Sequence, residues 1–336
     1  MWKIRPVKPS DSNALFELAE SLGPGMTTFP ADRAALSKKA EISAASFSGQ
    51  IHGSDVQYLM ALEDISSSQV LGVSAVYPKI GHPFGFFSYH VDRIVQHSPK
   101  IEFGLDCGLL NLSNAYTGYT EVGTLAVKPN LRRTGAGKML AKARYLLMGC
   151  FPDLFAPKVI AEMRGWQDNR GNNPFWSAIG EKFFRMEFAR ADAMSALEGA
   201  EFITNLIPRF PIYLDLLPQD ARNCIGRPHD SSAIAMAMLI DEGFRFENYI
   251  DVFDAGPQVV APLTQIKTVR EIIEVEISNC MGDGQTEQVL VANPELSNFC
   301  VAKATMSSRE ATIRLPDAQM PHFQNGMTRN LKASRL

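Results

Sequence analysis

The stretch 124–138, Thr-Leu-Ala-Val-Lys-Pro-Asn-Leu-Arg-Arg-Thr-Gly-Ala-Gly-Lys, constrains the fold more than any other part of this chain. A β-type apolar run, Tyr119–Val127, stops before Pro129. A short turn then carries Arg132, Arg133, Thr134, Gly135, Ala136, Gly137 and Lys138, and an amphipathic helix begins at once. Met139, Leu140, Ala143, Leu146, Leu147 and Cys150 recur at helical spacing, and Gly149 and Pro152 end the run. Strand, glycine turn and helix in that order build an anion cradle. The glycines let amide N–H groups converge, and the helix N-terminus adds partial positive charge. A pyrophosphate is the ligand such a cradle implies.

Three phosphate motifs compete for these glycines. A P-loop requires Gly-x4-Gly-Lys-Ser/Thr. Aligned on Gly137-Lys138, its first glycine falls on Arg132 and its hydroxyl on Met139. A dinucleotide fingerprint requires a third glycine where Leu140 stands. The pattern Arg/Gln-x-x-Gly-x-Gly/Ala is matched by Arg132, Gly135 and Gly137 at every defined position. That pattern resembles the acyl-CoA loop of the GNAT N-acyltransferase superfamily. A plain glycine turn explains the two glycines but gives no reason for the adjacent Arg132-Arg133.

The flanking sequence reads in the order strand, helix, hairpin, strand, cradle, helix, strand. Lys3–Val7 is the first strand, and a helix capped by Ser10 or Asp11 follows, stopped by Gly23-Pro24-Gly25. Residues 31–47 read as a second helix. Val56–Leu62 and Val70–Val76 read as a hairpin around a turn at 65–68, and Val159–Met163 as the strand after the cradle helix. Residues 78–102 read as an irregular insertion. A helix opens at Asn173-Pro174 and runs to about Phe184, another covers Ala233–Leu239 before Gly243, and Arg245–Phe253 reads as a strand. Beyond Pro257 come short β-like runs at 272–277, 289–292, 299–305 and 311–315. The expected architecture is α/β (α+β): a GNAT-like mixed, mostly antiparallel sheet flanked by helices, with a smaller β-rich C-terminal region. The expected division is 1–256 for the core and 257–336 for that region.

Composition narrows the classes. Of the 336 residues 46% are hydrophobic and 21% charged, with a net charge of −3, so no basic field exists for nucleic acid or an anionic membrane. Arg329, Lys332 and Arg335 read as a solvated basic end. The five cysteines (107, 150, 224, 280 and 300) are scattered and lack Cys-x-x-Cys pairing, which argues against a disulfide framework or zinc site. No metal site is expected. No segment reads as a signal peptide or membrane span, so a cytoplasmic protein is expected.

The resemblance extends past the superfamily. Ile4-Arg5-Pro6-Val7, Leu112-Ser113-Asn114, Ala161-Glu162-Met163-Arg164-Gly165 and Pro174-Phe175-Trp176 resemble the arginine N-succinyltransferase family. So do Phe188-Ala189-Arg190-Ala191-Asp192, Ile225-Gly226-x-x-His229 and the run from Asn248 to Pro257, and agreement weakens after about residue 260. The resemblance implies transfer of a succinyl group from succinyl-CoA, a co-substrate and not a resident cofactor, to the α-amine of L-arginine. It implies succinyl-CoA contact at Leu125, with Val127 on the same strand, and proton donation by His229. It also implies small-molecule partners and, since related enzymes are found as paired subunits, a heteromer with a related subunit; a homodimer is the general expectation for a metabolic enzyme. An ornithine-using or dual-specificity subunit, or a non-catalytic acyl-CoA-binding subunit, is the competing reading.

Without the family, His229 reads as an ordinary loop histidine before a helix, and Leu125 as a core leucine. Glu121, four residues before Leu125, is a candidate acceptor for the amine proton and equally a structural carboxylate. Strand alternation puts residues 121, 123 and 125 on one face. Glu162, Asp192, Asp251 and Asp254 are acids available for a guanidinium, and nothing in the sequence selects among them.

Overall fold

The computed structural model describes residues 1–22, 26, 28–100, 103–198, 206–278, 285–307, 311–324 and 330–336. Gly23-Pro24-Gly25, Cys280 and Arg329 lie outside these. The chain forms a mixed α/β fold. Among the described residues fifteen strands join in one hydrogen-bonded sheet, and three register shifts, two parallel pairs and one closure give it its form. The central part runs β1(Trp2–Pro6), β2(Tyr58–Asp64), β3(Val70–Tyr77), β6(Thr120–Val127), β7(Lys158–Glu162), β10(Pro257–Pro262), β9(Arg245–Asp251), β4(Ser88–Ser98), β5(Phe103–Ser113) and β8(Ile212–Tyr213). Of these neighbours only β6 and β7 are parallel.

Helices cover both faces. On one, α1(Ser12–Leu22) and α2(Arg33–Phe47) bury Leu15, Leu18, Leu36 and Ala40 against Leu59, Ala61, Val73, Ala75 and Ala126. Asp32 caps α2 by accepting from the Ala35 amide at 2.7 Å. On the other face, α3(Ala136–Cys150) packs Met139, Leu140, Ala143 and Leu147 onto Met60, Leu62, Val76, Val122, Val159 and Ala161. The even and odd positions of each strand feed separate cores, as the two-residue strand period requires.

The C-terminal strands close on themselves. β13(Cys300–Ser307) pairs with both β12(Thr286–Asn293) and β14(Thr312–Arg314). β15(Leu331–Arg335) lies between β12 and β11(Ile273–Ile277), and β11 is parallel to β14. The result is a five-stranded barrel filled by Val275, Val289, Val291, Ala302, Ile313, Phe323 and Leu331. It joins the central sheet where Lys3 and Ile4 pair with Ala302 and Val301.

Several expectations change. Residues 78–102 are not all irregular: Ser88–Ser98 is β4, an arm of a long hairpin with β5. Its mixed composition hid it, since much of it stands in solvent with Val95, at 66% exposure, near its tip. Residues 257–262 form β10 in mid-sheet, hidden as a nearly unbroken apolar run without alternation. The C-terminal end is a barrel strand, with Lys332 paired to Glu274 at 2.5 Å and Arg335 to Glu287 at 3.0 Å. Among the described residues no helix is long and apolar enough to cross a membrane.

Candidate active site

The site lies where β6 and β7 part. They are in register at Thr120–Val159 and Glu121–Ile160, and no pairing is recorded beyond this although β6 runs on to Val127 and β7 to Glu162. On its other side β6 stays paired to β3, with a bulge: Gly123 faces Ala75 and Ala126 faces Val73, so Thr124 and Leu125 oppose only Ser74. Thr124 adopts φ 48°, and its hydroxyl is held by Tyr77 at 2.9 Å and Thr28 at 3.0 Å. A bulge leaves main-chain groups without a ladder partner. Here the bulge lies on the strand that borders the gap.

The bulge also resets alternation. Leu125 and Val127 pack against the core beneath α3, whereas Glu121 points to the opposite face, its carboxylate lying beside Gly123. Glu121 and Leu125 therefore do not share a face. Simple counting along the strand misses the extra residue.

The cradle follows. Pro129–Leu131 makes one 3-10 turn, Arg133 takes φ 65°, and Gly135 takes φ 93° as the residue that starts α3. The left-handed region at Gly135 is the reason for glycine there. A side chain at Gly137 would meet nothing within 4 Å, so that position stands open toward solvent. The amides of Ala136, Gly137 and Lys138 belong to the first helical turn and have no intrahelical acceptor. Arg132, Arg133, Thr134 and Lys138 are exposed around them. The arrangement can bind an anion by main chain and dipole, with cations at the rim.

His229 is fixed on the other side of the gap. The Gly165–Pro228 bridge lays its loop along the continuation of β7, and the His229 amide donates to the Arg164 carbonyl at 2.7 Å. Counting on from Glu121–Ile160 in parallel register and allowing for the extra residue of the bulge, Leu125 is level with Met163, next to Arg164. The Asp254 carboxylate ties this region together by accepting from the amides of Gly165 at 2.6 Å and Gly256 at 2.8 Å. Gly165 and Gly256 allow the two segments to approach, since a Cβ on either would collide with main-chain oxygen. Nδ1 of His229 accepts from the Ser231 amide at 3.2 Å, which leaves the neutral ring's proton on Nε2. Burial, and then the charge of Arg164, lower the His229 pKa, while Asp230 acts to raise it.

Carboxylates gather on the face that carries Glu121. Burial raises the Glu121 pKa to about 7, with Lys39 opposing. Glu162 is raised well above the ordinary range by burial, then by Asp251 and Glu121. Burial likewise raises Asp251, and Asp254 next to it. Asp192 is raised by burial and lowered by Arg164. The sequence could not choose among these acids, because the sheet brings together residues from β6, β7 and the β9–β10 turn.

The chain matches the family model described as "Arginine N-succinyltransferase beta subunit" over residues 2–268. It is 36% identical over 321 residues to the arginine N-succinyltransferase of Escherichia coli O139:H28 (strain E24377A / ETEC), covering 95% of this chain and 93% of that one. The arginine N-succinyltransferase of Shigella flexneri gives the same values, 36% over 321 residues with 95% and 93% covered. Among solved structures, arginine/ornithine succinyltransferase subunit AI from Pseudomonas aeruginosa superposes with a TM-score of 0.88 at 27% identity, covering 100% of this chain and 98% of that one.

Fold, site and likeness together define the class, an acyltransferase. The chain belongs to the arginine N-succinyltransferase family.

Proposed function

We propose that the chain transfers the succinyl group of succinyl-CoA to the α-amine of L-arginine, releasing CoA and N2-succinyl-L-arginine. The observation that carries this reading is the parted β6–β7 pair, with an anion cradle at the end of one strand and a histidine fixed beside the other. The same V-shaped gap supports a GNAT-like core. In this reading the CoA diphosphate lies on the amides from Arg133 to Lys138, with Arg132 at the rim. The pantetheine runs along the main chain of Val127 and Leu125, and an amide freed by the bulge faces the thioester oxygen.

The amine attacks as the free base, so the ammonium proton leaves before or during attack. The tetrahedral intermediate collapses with loss of the thiolate, which takes up a proton. No net proton is consumed between the two events. Nε2–H of His229 is the donor to the departing sulfur, and Glu121, lacking a hydrogen bond among the described residues and raised to about 7, is the acceptor for the amine proton. No covalent enzyme intermediate is needed.

A cytoplasmic setting belongs to this reading. So does assembly as a homodimer or with a related subunit, supported by Ile234 and Ile240, which are 61% and 49% exposed on the apolar helix Ala233–Asp241. The division into a core and a C-terminal unit is likewise proposed, with β10 counted with the core.

The test is release of free CoA by the purified chain, with arginine and ornithine compared side by side. The cradle has its own test. Gly137→Glu fits sterically and puts a carboxylate among the amides, so calorimetry is expected to show succinyl-CoA affinity falling by about 100-fold or more. Unchanged affinity removes the cradle from the site.

A further inference from the structure

We propose that Glu162, oriented by Gln258 and flanked by Tyr249, is the acceptor fork that takes the guanidinium of the amino-acid substrate and sets the preference for a cationic side chain. The proposal rests on the reading of the chain as an arginine succinyltransferase, and it identifies residues for the half of the substrate that does not react.

The placement comes from register. Glu162 on β7 is the Cα partner of Gln258 on β10, which is in turn the partner of Tyr249 on β9. Partners across a sheet point to the same side, so the three side chains form a row on the face that carries Glu121. His90 on β4 extends the row, its ring 4.5 Å from that of Tyr249. The row begins at the parted strands. Glu162 is two residues before Arg164, whose carbonyl holds His229. A substrate with its α-amine near the Leu125–His229 level therefore reaches Glu162 with its side chain.

The chemistry of the row is one-sided. Gln258 Nε2 donates one of its two N–H groups to Glu162 Oε1 at 2.6 Å. Gln258 is wholly buried, and its Oε1 has no hydrogen-bond partner among the described residues. An orphaned buried carbonyl oxygen costs roughly 1–3 kcal/mol unless something donates to it. Glu121 is only 8% exposed, and the charge it feels is that of Lys39. Glu162 itself is half-buried, so it remains reachable. The site thus offers carboxylate oxygens and an amide oxygen as acceptors, with Lys39 the cation acting on Glu121. A guanidinium is the complementary group: planar, with five donors and no acceptor, and able to lie against an aromatic face. The buried acids also repel one another, and a bound cation relieves that repulsion.

Asp254 and Asp251 are excluded from the fork. Asp254 is spent on the amides of Gly165 and Gly256, and Asp251 accepts from those of Phe253 and Asp254 at 2.7 and 2.9 Å. They add charge to the pocket, with both oxygens of Asp254 and Oδ1 of Asp251 already engaged.

Citrulline tests the idea, because it keeps the shape of arginine and replaces the cation by a neutral urea whose oxygen meets the carboxylate unfavourably. Wild-type enzyme is expected to show a KM for citrulline at least 100-fold above that for arginine. Glu162→Gln is expected to raise the arginine KM at least 50-fold, to leave kcat within about threefold, and to shrink the arginine-over-citrulline preference below tenfold. Removal of one of several crowded buried acids should not unfold the chain, and a melting curve checks this. Calorimetry supplies a second arm on the wild-type protein. Arginine binding should release protons, seen as a buffer-dependent heat, and citrulline binding should not. A preserved arginine preference in Glu162→Gln, a fall in kcat at constant KM, or equal proton release by the two ligands overturns the assignment. If wild-type protein binds arginine with these signatures yet releases no CoA, the functional reading fails and the pocket stands. If it binds neither amino acid preferentially, the pocket fails.

Discussion

The gap between β6 and β7 and the C-terminal barrel treat the same backbone chemistry in opposite ways. In the barrel each of five strands has a partner on both sides, and the ring leaves no edge. In the centre, two parallel strands pair at two positions and then part. The barrel's interior is apolar, whereas the gap is bordered by a buried Glu121 opposed only by the charge of Lys39, a Gln258 oxygen without a hydrogen bond among the described residues, and an uncapped helix start. A fold that only needed stability would satisfy these groups. Their persistence at one place is what makes that place the candidate site.

This contrast predicts where damage will register. The largest stability effect belongs to the barrel: Phe323→Ala, at a fully buried ring, is expected to cost about 3–5 kcal/mol in chemical denaturation while leaving the arginine KM of the folded enzyme unchanged. A shifted KM would show that the two regions are coupled. Next, His229→Gln is expected to lower kcat by about 100-fold or more with the melting temperature and succinyl-CoA affinity nearly intact. Near-normal turnover in the folded variant would remove His229 from the chemistry.

Glu121→Gln should reveal a site that costs stability. The carboxyl ordinarily titrates near 4.5 and is raised to about 7 in the fold. Between those values the native state holds more protons than the unfolded chain, so stability falls as pH rises through this window and levels off above it. The Gln variant should lose this slope and gain roughly 2–3 kcal/mol at pH 8 relative to pH 5. An unchanged slope would mean that Glu121 is not the buried acid responsible. The smallest effect is expected at Lys332→Ala, which removes a partly exposed pair with Glu274 on the barrel surface. About 0.5 kcal/mol, vanishing in high salt, is the expected loss.

Much of the central fold was legible in the chain. The strand, glycine turn and helix around 124–138 read correctly because local signals agree there: an apolar run, a proline, two glycines and a helical stripe. The first hairpin, α1 and α2 were legible for the same reason. β4, β10 and β15 were missed. The first stands largely in solvent and lacks a clean alternation, the second is buried without one, and the third carries cations that read as a loose end. The bulge at Thr124–Leu125 was invisible, since only the register against β3 shows an extra residue.

From sequence alone came the anion cradle, the resemblance to a family and the candidate histidine, because each resides in a contiguous run whose conformation local chemistry dictates. Only the tertiary structure decided which side of the sheet Glu121 faces, that β6 and β7 separate, and that Glu162, Gln258 and Tyr249 stand side by side. Those relations are set by pairing between strands far apart in the chain, and side-chain direction across a sheet depends on register that no single segment encodes.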